Sequence, residues 1–229
     1  MTAHPFTPED YLRHLRTESA RFREVLESCD PAARVPGCPE WNAEELLWHL
    51  TGVQGFWARI VAQRPITPDE LPEPTRPESY AGLLAAFDDA SAELIDALSS
   101  APATDEAWTW SSEHTVGFIQ RRQAHEALIH RLDAEQTAGA VTALDPALAA
   151  DGVNELLTVM YGGCPPWGTQ TPGEQHVRVD CTDTDSQVWV NLARFTGTDP
   201  EDGVSYDEDD ITVVPDPGVE PDAVVEGTA

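Results

Sequence analysis

The sequence has 229 residues and no lysine, so its 13 basic residues are all arginines, against 41 acidic residues. The formal net charge of −28 excludes the basic face that nucleic-acid binding requires, and it disfavours adsorption to anionic membranes. Long apolar runs are also lacking, since none approaches the roughly 18 residues that a membrane-spanning helix needs. We therefore expect no nucleic-acid partner and no membrane association.

The four cysteines, Cys29, Cys38, Cys164 and Cys181, form no CxxC pair, which argues against a zinc ribbon or a thioredoxin-like motif. Cys38 lies in a Pro-Gly-Cys-Pro turn, and a catalytic thiol there is an alternative that we keep open. The N-terminus shows no basic start followed by an apolar run. We expect no signal peptide and a cytoplasmic location, where thiols stay reduced.

The apolar pattern changes near Gly163 and Cys164, where glycines and prolines would end a helix. Residues 1–163 carry a net charge of −15 and show helical spacing, whereas residues 164–229 carry −13 and show strand-like segments. The predicted helices span about 8–28, 42–60, 80–98, 116–137 and 146–160. The predicted strands include 177–179, 188–195 and 211–214, with 223–225 as a possible fourth.

This order of elements predicts an α+β fold with a domain boundary at 163/164. Residues 1–163 would form an antiparallel bundle of four main helices plus one, and residues 164–229 a small, acidic, β-rich domain. No helix follows the predicted strands of the C-terminal domain in this sequence. Its sheet would be covered by the bundle, by a partner or by residues that the sequence does not contain.

Two residues four positions apart, Glu126 and His130, project from one face of the fourth predicted helix, and Asp133 continues that stripe. His125 does not complete an HExxH zinc motif, because it lies about 140° around the helix from His130. His49, on the second predicted helix, is the candidate third ligand. Two histidines and one carboxylate suit zinc with an open coordination position, and iron(II) would accept the same set.

The simpler interpretation of His49 is a core histidine satisfied by hydrogen bonds. The same interpretation of Glu126 requires a buried carboxylate, which is costly, whereas a divalent ion would compensate all three side chains. Arg122, four residues before Glu126, is either a surface charge or a group that binds an anion in the site. We expect the remaining histidines to lie outside the metal site: His4, His14, His114, His125 and His176.

Two segments of the chain resemble a known family. The first is residues 35–42 (VPGCPEWN), followed by a helix with His49-Leu50 and Gly52-Val53, and the second is residues 122–135 (RQAHEALIHRLDAE). Both resemble the mycothiol-dependent maleylpyruvate isomerase family, which belongs to the DinB-like metal-binding helix bundles, and the likeness extends over most of residues 8–160. The resemblance implies a zinc-like divalent metal on His49, Glu126 and His130, with the thiol mycothiol as cosubstrate.

The resemblance also suggests roles for neighbouring residues. Gln54 stands where relatives often have a histidine, and it is assigned to cofactor binding together with Arg122, which would hold a carboxylate of the thiol or substrate. Asp133 would orient a metal-bound histidine. The C-terminal domain resembles a sterol-carrier-protein-like domain without its final helices. Because this chain lacks the arginines that relatives often carry after the fifth helix, we do not expect maleylpyruvate itself as the substrate.

These observations predict a divalent-metal-dependent enzyme, a mycothiol-dependent thiol transferase or cis–trans isomerase that acts on a small electrophile. Arg122 and Asp133 would be its catalytic residues. The alternatives are a metal-dependent hydrolase of the DinB-like superfamily and a non-catalytic metal-binding interaction module. The expected partners are the small-molecule thiol and the electrophile, and a homodimer is left open.

Overall fold

The computed structural model describes residues 6–229, so the prediction that His4 has no part in the metal site concerns a residue outside the described ones. Contacts between Cα atoms divide the chain into two compact units, Met1–Ala143 and Leu144–Ala229. Within residues 6–229, no helix is both long enough and apolar enough to cross a membrane.

The first unit is built from helices that pack against one another in pairs. Helix α1 packs against α3 and α4, and helix α2 packs against the same two helices, which makes a four-helix bundle. A short antiparallel hairpin of strands β1 and β2 precedes α2. The elements are α1 Pro8–Ser28, β1 Arg34–Val35, β2 Cys38–Asn42, α2 Ala43–Ala62, α3 Tyr80–Ser100 and α4 Val116–Ala138.

The first two helices begin where their capping residues predict. Thr7 Oγ1 accepts a hydrogen bond from the Asp10 backbone N–H at 3.3 Å, and the Asp10 side chain accepts the Thr7 N–H at 3.0 Å. Asn42 and Glu45 make the same reciprocal pair at 2.9 and 2.8 Å. Such capping boxes satisfy backbone donors that the first helical turn would leave unpaired. The second box fixes the start of α2, two turns before His49.

The interior of the bundle is apolar and closely packed. Phe22 of α1 and Phe87 of α3 lie with ring centroids 5.0 Å apart at its centre. Leucines from three helices are fully buried around them: Leu15, Leu26, Leu46, Leu47, Leu50, Leu83, Leu94 and Leu98. Truncating one such leucine to alanine typically costs about 2–5 kcal/mol, so this core fixes α2 in place beside its neighbours.

The second unit contains helix α5 Pro146–Glu155, which continues into a π-helical turn at Leu156–Tyr161. Its four-stranded sheet has the order β5-β4-β3-β6, in which β3 and β6 are parallel and the other pairs are antiparallel. The strands are β3 Gly168–Cys181, β4 Ser186–Thr198, β5 Ser205–Val214 and β6 Ala223–Gly227.

The predicted α+β fold is confirmed, and each predicted strand lies within an observed one. The β1–β2 hairpin was not predicted, because its strands are too short to show alternation and β2 contains a proline. The division into units groups α5 with the sheet, whereas the predicted boundary at 163/164 groups it with the bundle. Where each domain ends as a folding unit stays a prediction.

Candidate metal centre

Helices α2 and α4 bring together the three side chains that were predicted as metal ligands. Glu126 Oε1 lies 3.6 Å from His49 Nε2 and 3.2 Å from His130 Nε2. One donor atom from each of the three residues lies within 4.8 Å of the others. Within residues 6–229, it is the one group of three or more His, Cys, Asp or Glu side chains whose donor atoms lie this close together.

The distances within the cluster fit a small divalent ion. Ligands bound to tetrahedral zinc at about 2.0–2.2 Å are about 3.4 Å apart, which matches both separations from Glu126. The donor set, two imidazoles and one carboxylate, is one that zinc uses in catalytic sites that keep a position open. The arrangement of His49, Glu126 and His130 is therefore compatible with a metal, and their role as ligands stays a prediction.

The second oxygen of Glu126 is engaged by an arginine on its own helix. Arg122 donates to Glu126 Oε2 at 2.8 Å, four residues away, so Oε1 is left to face the two histidines. Burial alone would raise the pKa of Glu126, but His130, His49 and Arg122 together keep it well below its usual range. Arg122 is thus engaged with Glu126, and its predicted roles in catalysis and in binding the thiol stay predictions.

His130 is oriented by a carboxylate one turn further along α4. Its Nδ1 lies 3.0 Å from Asp133 Oδ2, and because a carboxylate only accepts, Nδ1 carries the hydrogen. Burial would lower the pKa of His130, but the hydrogen bonds with Asp133 and Glu126 outweigh it and raise the pKa to about 9. The other ring nitrogen, Nε2, lies 3.2 Å from Glu126 Oε1, on the side where an ion would bind. The role of Asp133 in orienting a metal-bound histidine stays a prediction.

The opposite face of α4 is fixed to α1 by a buried charge network. Arg131 donates to Glu18 at 2.7 Å and to Glu135 at 2.9 Å. Glu135 is fully buried and also accepts from Arg21 at 2.7 Å and from Thr142. These pairs set the rotation of α4 about its axis, so that the neighbouring His130 faces α2.

Two residues singled out in the sequence lie away from the cluster. Gln54 is fully buried, and its amide donates to Ser19 Oγ of α1 at 2.8 Å, so the structure does not bring it to His49. The reason is helical geometry, since five residues turn it about 140° from His49. His125 is buried on another side of α4, with its ring 6.2 Å from that of Tyr11.

Cys38 lies near the cluster without the environment of a reactive thiol. Burial raises its pKa, and the negative charge of Asp133 raises it further. A catalytic cysteine needs the opposite, a depressed pKa beside a positive group. The geometry therefore disfavours the alternative in which Cys38 acts as the nucleophile.

A pocket of about 540 Å³ opens beside His49, and the sequence did not reveal it. Its wall includes Trp41, Trp48, Gly52, Phe56 and Trp57. The signal was present as spacing on α2, where Trp48, Gly52 and Phe56 follow one another at four-residue intervals. Because tryptophan and phenylalanine also fill cores, that spacing alone does not distinguish the wall of a pocket from core packing.

A family model described as the mycothiol maleylpyruvate isomerase N-terminal domain matches residues 12–135, which is more than half of the chain. Two similar solved structures are a mycothiol-dependent maleylpyruvate isomerase and a histidine-to-alanine mutant of it. Each is 15% identical to this chain, with 82% of both chains covered and a TM-score of 0.55, a likeness that shows the fold. No curated protein matches the sequence. The chain therefore belongs to the family of the mycothiol maleylpyruvate isomerase N-terminal domain.

Proposed function

We propose that this protein is a divalent-metal-dependent enzyme that uses a low-molecular-weight thiol, mycothiol, as cosubstrate. It would act on a small electrophile as a thiol transferase or a cis–trans isomerase. The observation that carries the proposal is the cluster of His49, Glu126 and His130, whose separations of 3.2 and 3.6 Å fit a tetrahedral ion, inside a domain of this family. We propose zinc as the metal.

A divalent ion at this cluster would lower the pKa of a bound thiol and so supply a thiolate near neutral pH. The protein's own residues prepare the site for it. Asp133 fixes the ring of His130 and leaves Nε2 as the binding atom, while Arg122 holds one oxygen of Glu126 away from the histidines. The ring of Trp41 lies 4.7 Å from that of His49, which limits rotation of the imidazole.

Metal analysis of protein purified without chelator or nickel affinity resin tests the proposal first. We expect about one ion per chain, as in mononuclear catalytic sites. His130→Ala should lower metal content and mycothiol-dependent activity together. His114→Ala, which changes an exposed histidine outside the cluster, is the matched control and should leave both unchanged. Stoichiometric metal in His130→Ala would overturn the ligand assignment.

Assays of the metal-loaded protein with and without mycothiol test the role of the thiol. Turnover that requires the thiol supports the proposal. Thiol-independent hydrolysis would instead support a hydrolase in which metal-activated water attacks the substrate. A chain without bound metal and without turnover would support a non-catalytic interaction module.

A further inference from the structure

The pocket beside the cluster is unusually aromatic. Trp41, Trp48, Phe56 and Trp57 line it together with His49, which also belongs to the metal cluster. Trp108 supports this wall from behind, with its ring 6.0 Å from those of Phe56 and Trp57. The volume of about 540 Å³ lies in the range of about 300–1,000 Å³ that is typical of small-molecule sites.

A glycine on α2 leaves this pocket space. A Cβ added to Gly52 would have no atom within 4 Å, so a larger side chain there would project into the opening. Glycine in the middle of a helix costs about 0.5–1 kcal/mol relative to alanine. Glycine at position 52 therefore lowers the stability of α2 locally and leaves the aromatic wall of the pocket accessible to a ligand.

The protein's own charges around the pocket disfavour an anionic ligand, and a divalent ion held by Glu126 and a thiolate would add no net positive charge. Its lining contains one acid, Glu45, and one base, Arg76, and Arg76 is paired with a second acid, Glu44, at 2.8 Å. An exposed pair of this kind is weak, about 0–1 kcal/mol, but an incoming carboxylate would displace Glu44 and still face Glu45.

The arginines of the described residues are all held by other groups of the protein, some by acids and some, such as Arg59, by backbone carbonyls. Each of the 13 arginines makes an interaction with another group of the protein. Arg122, the arginine nearest the cluster in sequence, is paired with Glu126. Lysine, the other permanent cation, does not occur.

We infer that this pocket binds the electrophile and selects an uncharged aromatic one over a carboxylate. The assignment to the electrophile rests on the proposed function, whereas binding of an uncharged aromatic molecule does not. With a benzylic halide, the thiol sulfur forms a bond to the benzylic carbon, the carbon–halogen bond breaks and halide leaves with its electron pair. The thiol proton passes to solvent, so the reaction needs no oxidant or reductant.

Binding is measured by quenching of tryptophan fluorescence in the metal-loaded, full-length protein. The two probes are 4-nitrobenzyl alcohol and 4-nitrobenzoate, which have similar size and differ in charge. We expect the alcohol to bind at least tenfold more tightly. Gly52→Leu should weaken its binding at least tenfold without changing metal content, and Gly52→Ala should have an intermediate effect. Ala85→Leu, which adds the same side chain on the exposed surface of α3, should change it less than twofold.

Equal or tighter binding of 4-nitrobenzoate would overturn the inference. So would unchanged binding of the alcohol in a Gly52→Leu protein whose circular dichroism matches the wild type. Turnover of 4-nitrobenzyl chloride is then compared with turnover of 4-(chloromethyl)benzoate. Both are assayed in the presence of mycothiol, as chloride release above the uncatalysed rate. We expect Gly52→Leu to raise KM for 4-nitrobenzyl chloride at least tenfold and to leave KM for the thiol unchanged.

The two proposals fail in different ways. If the neutral probe binds as expected but the purified protein holds no metal and shows no mycothiol-dependent turnover, the proposed function is wrong and the pocket assignment stands as a binding site. If mycothiol-dependent turnover occurs and favours the carboxylate, or if Gly52→Leu raises KM for the thiol, the pocket assignment is wrong and the proposed function stands.

Discussion

The hydrogen bond between Asp133 and His130 offers the sharpest test of how the cluster is organised. Replacing Asp133 by asparagine keeps an oxygen that can accept from His130 Nδ1 and removes the charge. A hydrogen bond with a charged partner contributes about 1.5–3 kcal/mol and a neutral one about 0.5–1.5 kcal/mol. The difference of about 1–1.5 kcal/mol predicts a loss of about five- to thirteenfold in metal affinity. Outer carboxylates on ligating histidines typically contribute about 10- to 100-fold.

Asparagine is preferred to alanine because of the turn between β1 and β2. A Cβ added to Gly37 of that turn would lie 2.9 Å from Asp133 Oδ1, so the backbone there packs closely on the Asp133 side chain. Truncation to alanine would open a gap under the turn and mix a folding effect with the binding effect. Asparagine has nearly the same shape and avoids this difficulty.

The assay is competition for zinc against a chromophoric chelator at a fixed pH of 9.5. This pH lies above the pKa of about 9 of His130, which Asp133 itself raises, so that proton competition does not offset the loss of affinity. The control is Asp88→Asn, which removes the same charge from an exposed aspartate that pairs with Arg23 at 2.9 Å on the bundle surface. We expect the control to keep wild-type affinity. An Asp133→Asn protein within twofold of wild type would refute the reasoning, and so would an equal loss in Asp88→Asn, because the effect would then be one of total charge.

Three further outcomes are expected. Because the pKa of His130 is raised to about 9, metal binding must displace the proton of this side chain. The apparent affinity for the metal should therefore rise about tenfold per pH unit up to pH 9. A constant affinity between pH 6 and 8 in titration calorimetry would contradict this. Arg131→Met leaves Glu18 without its buried partner and should lower the free energy of unfolding by about 3 kcal/mol in urea denaturation, an effect that Arg13→Met on the surface should not share. Cys38→Ser should keep thiol-dependent kcat within about twofold, since burial raises the pKa of that thiol; a loss of activity at unchanged metal content would restore Cys38 as a nucleophile.

Helical periodicity in the sequence was sufficient to predict the part of the cluster that lies on one helix. The spacing of Glu126, His130 and Asp133 places them on one face of any α-helix, and the structure has that helix over Val116–Ala138. His49 could only be nominated, because which face of α2 meets α4 depends on the packing of the whole bundle. The resemblance to a family supplied that long-range pairing.

The aromatic pocket was missed for a physical reason. Trp48 and Phe56 are apolar and spaced like core residues, so a pattern of apolar positions cannot tell a wall that faces an opening from one that faces another helix. Gly52, between them, was the distinguishing residue, since a core-facing position would favour a side chain that fills space. The β1–β2 hairpin was missed because its strands have two and five residues, too few for alternation to be seen.

Helical spacing also explains why Gln54 stands apart from the site that family likeness assigned to it. Five residues separate it from His49, the same interval that separates His125 from His130, and in both cases the second residue lies about 140° away. Because of that angle, His125 and His130 cannot share a metal, and Gln54 cannot lie beside His49. The bundle shows the consequence, because Gln54 binds Ser19 of α1 while His49 faces α4. A role for Gln54 near the metal would require α2 to rotate, which would also remove His49 from Glu126. The two residues cannot serve one site on a straight helix, so the contribution of Gln54 is to the packing of α2 on α1.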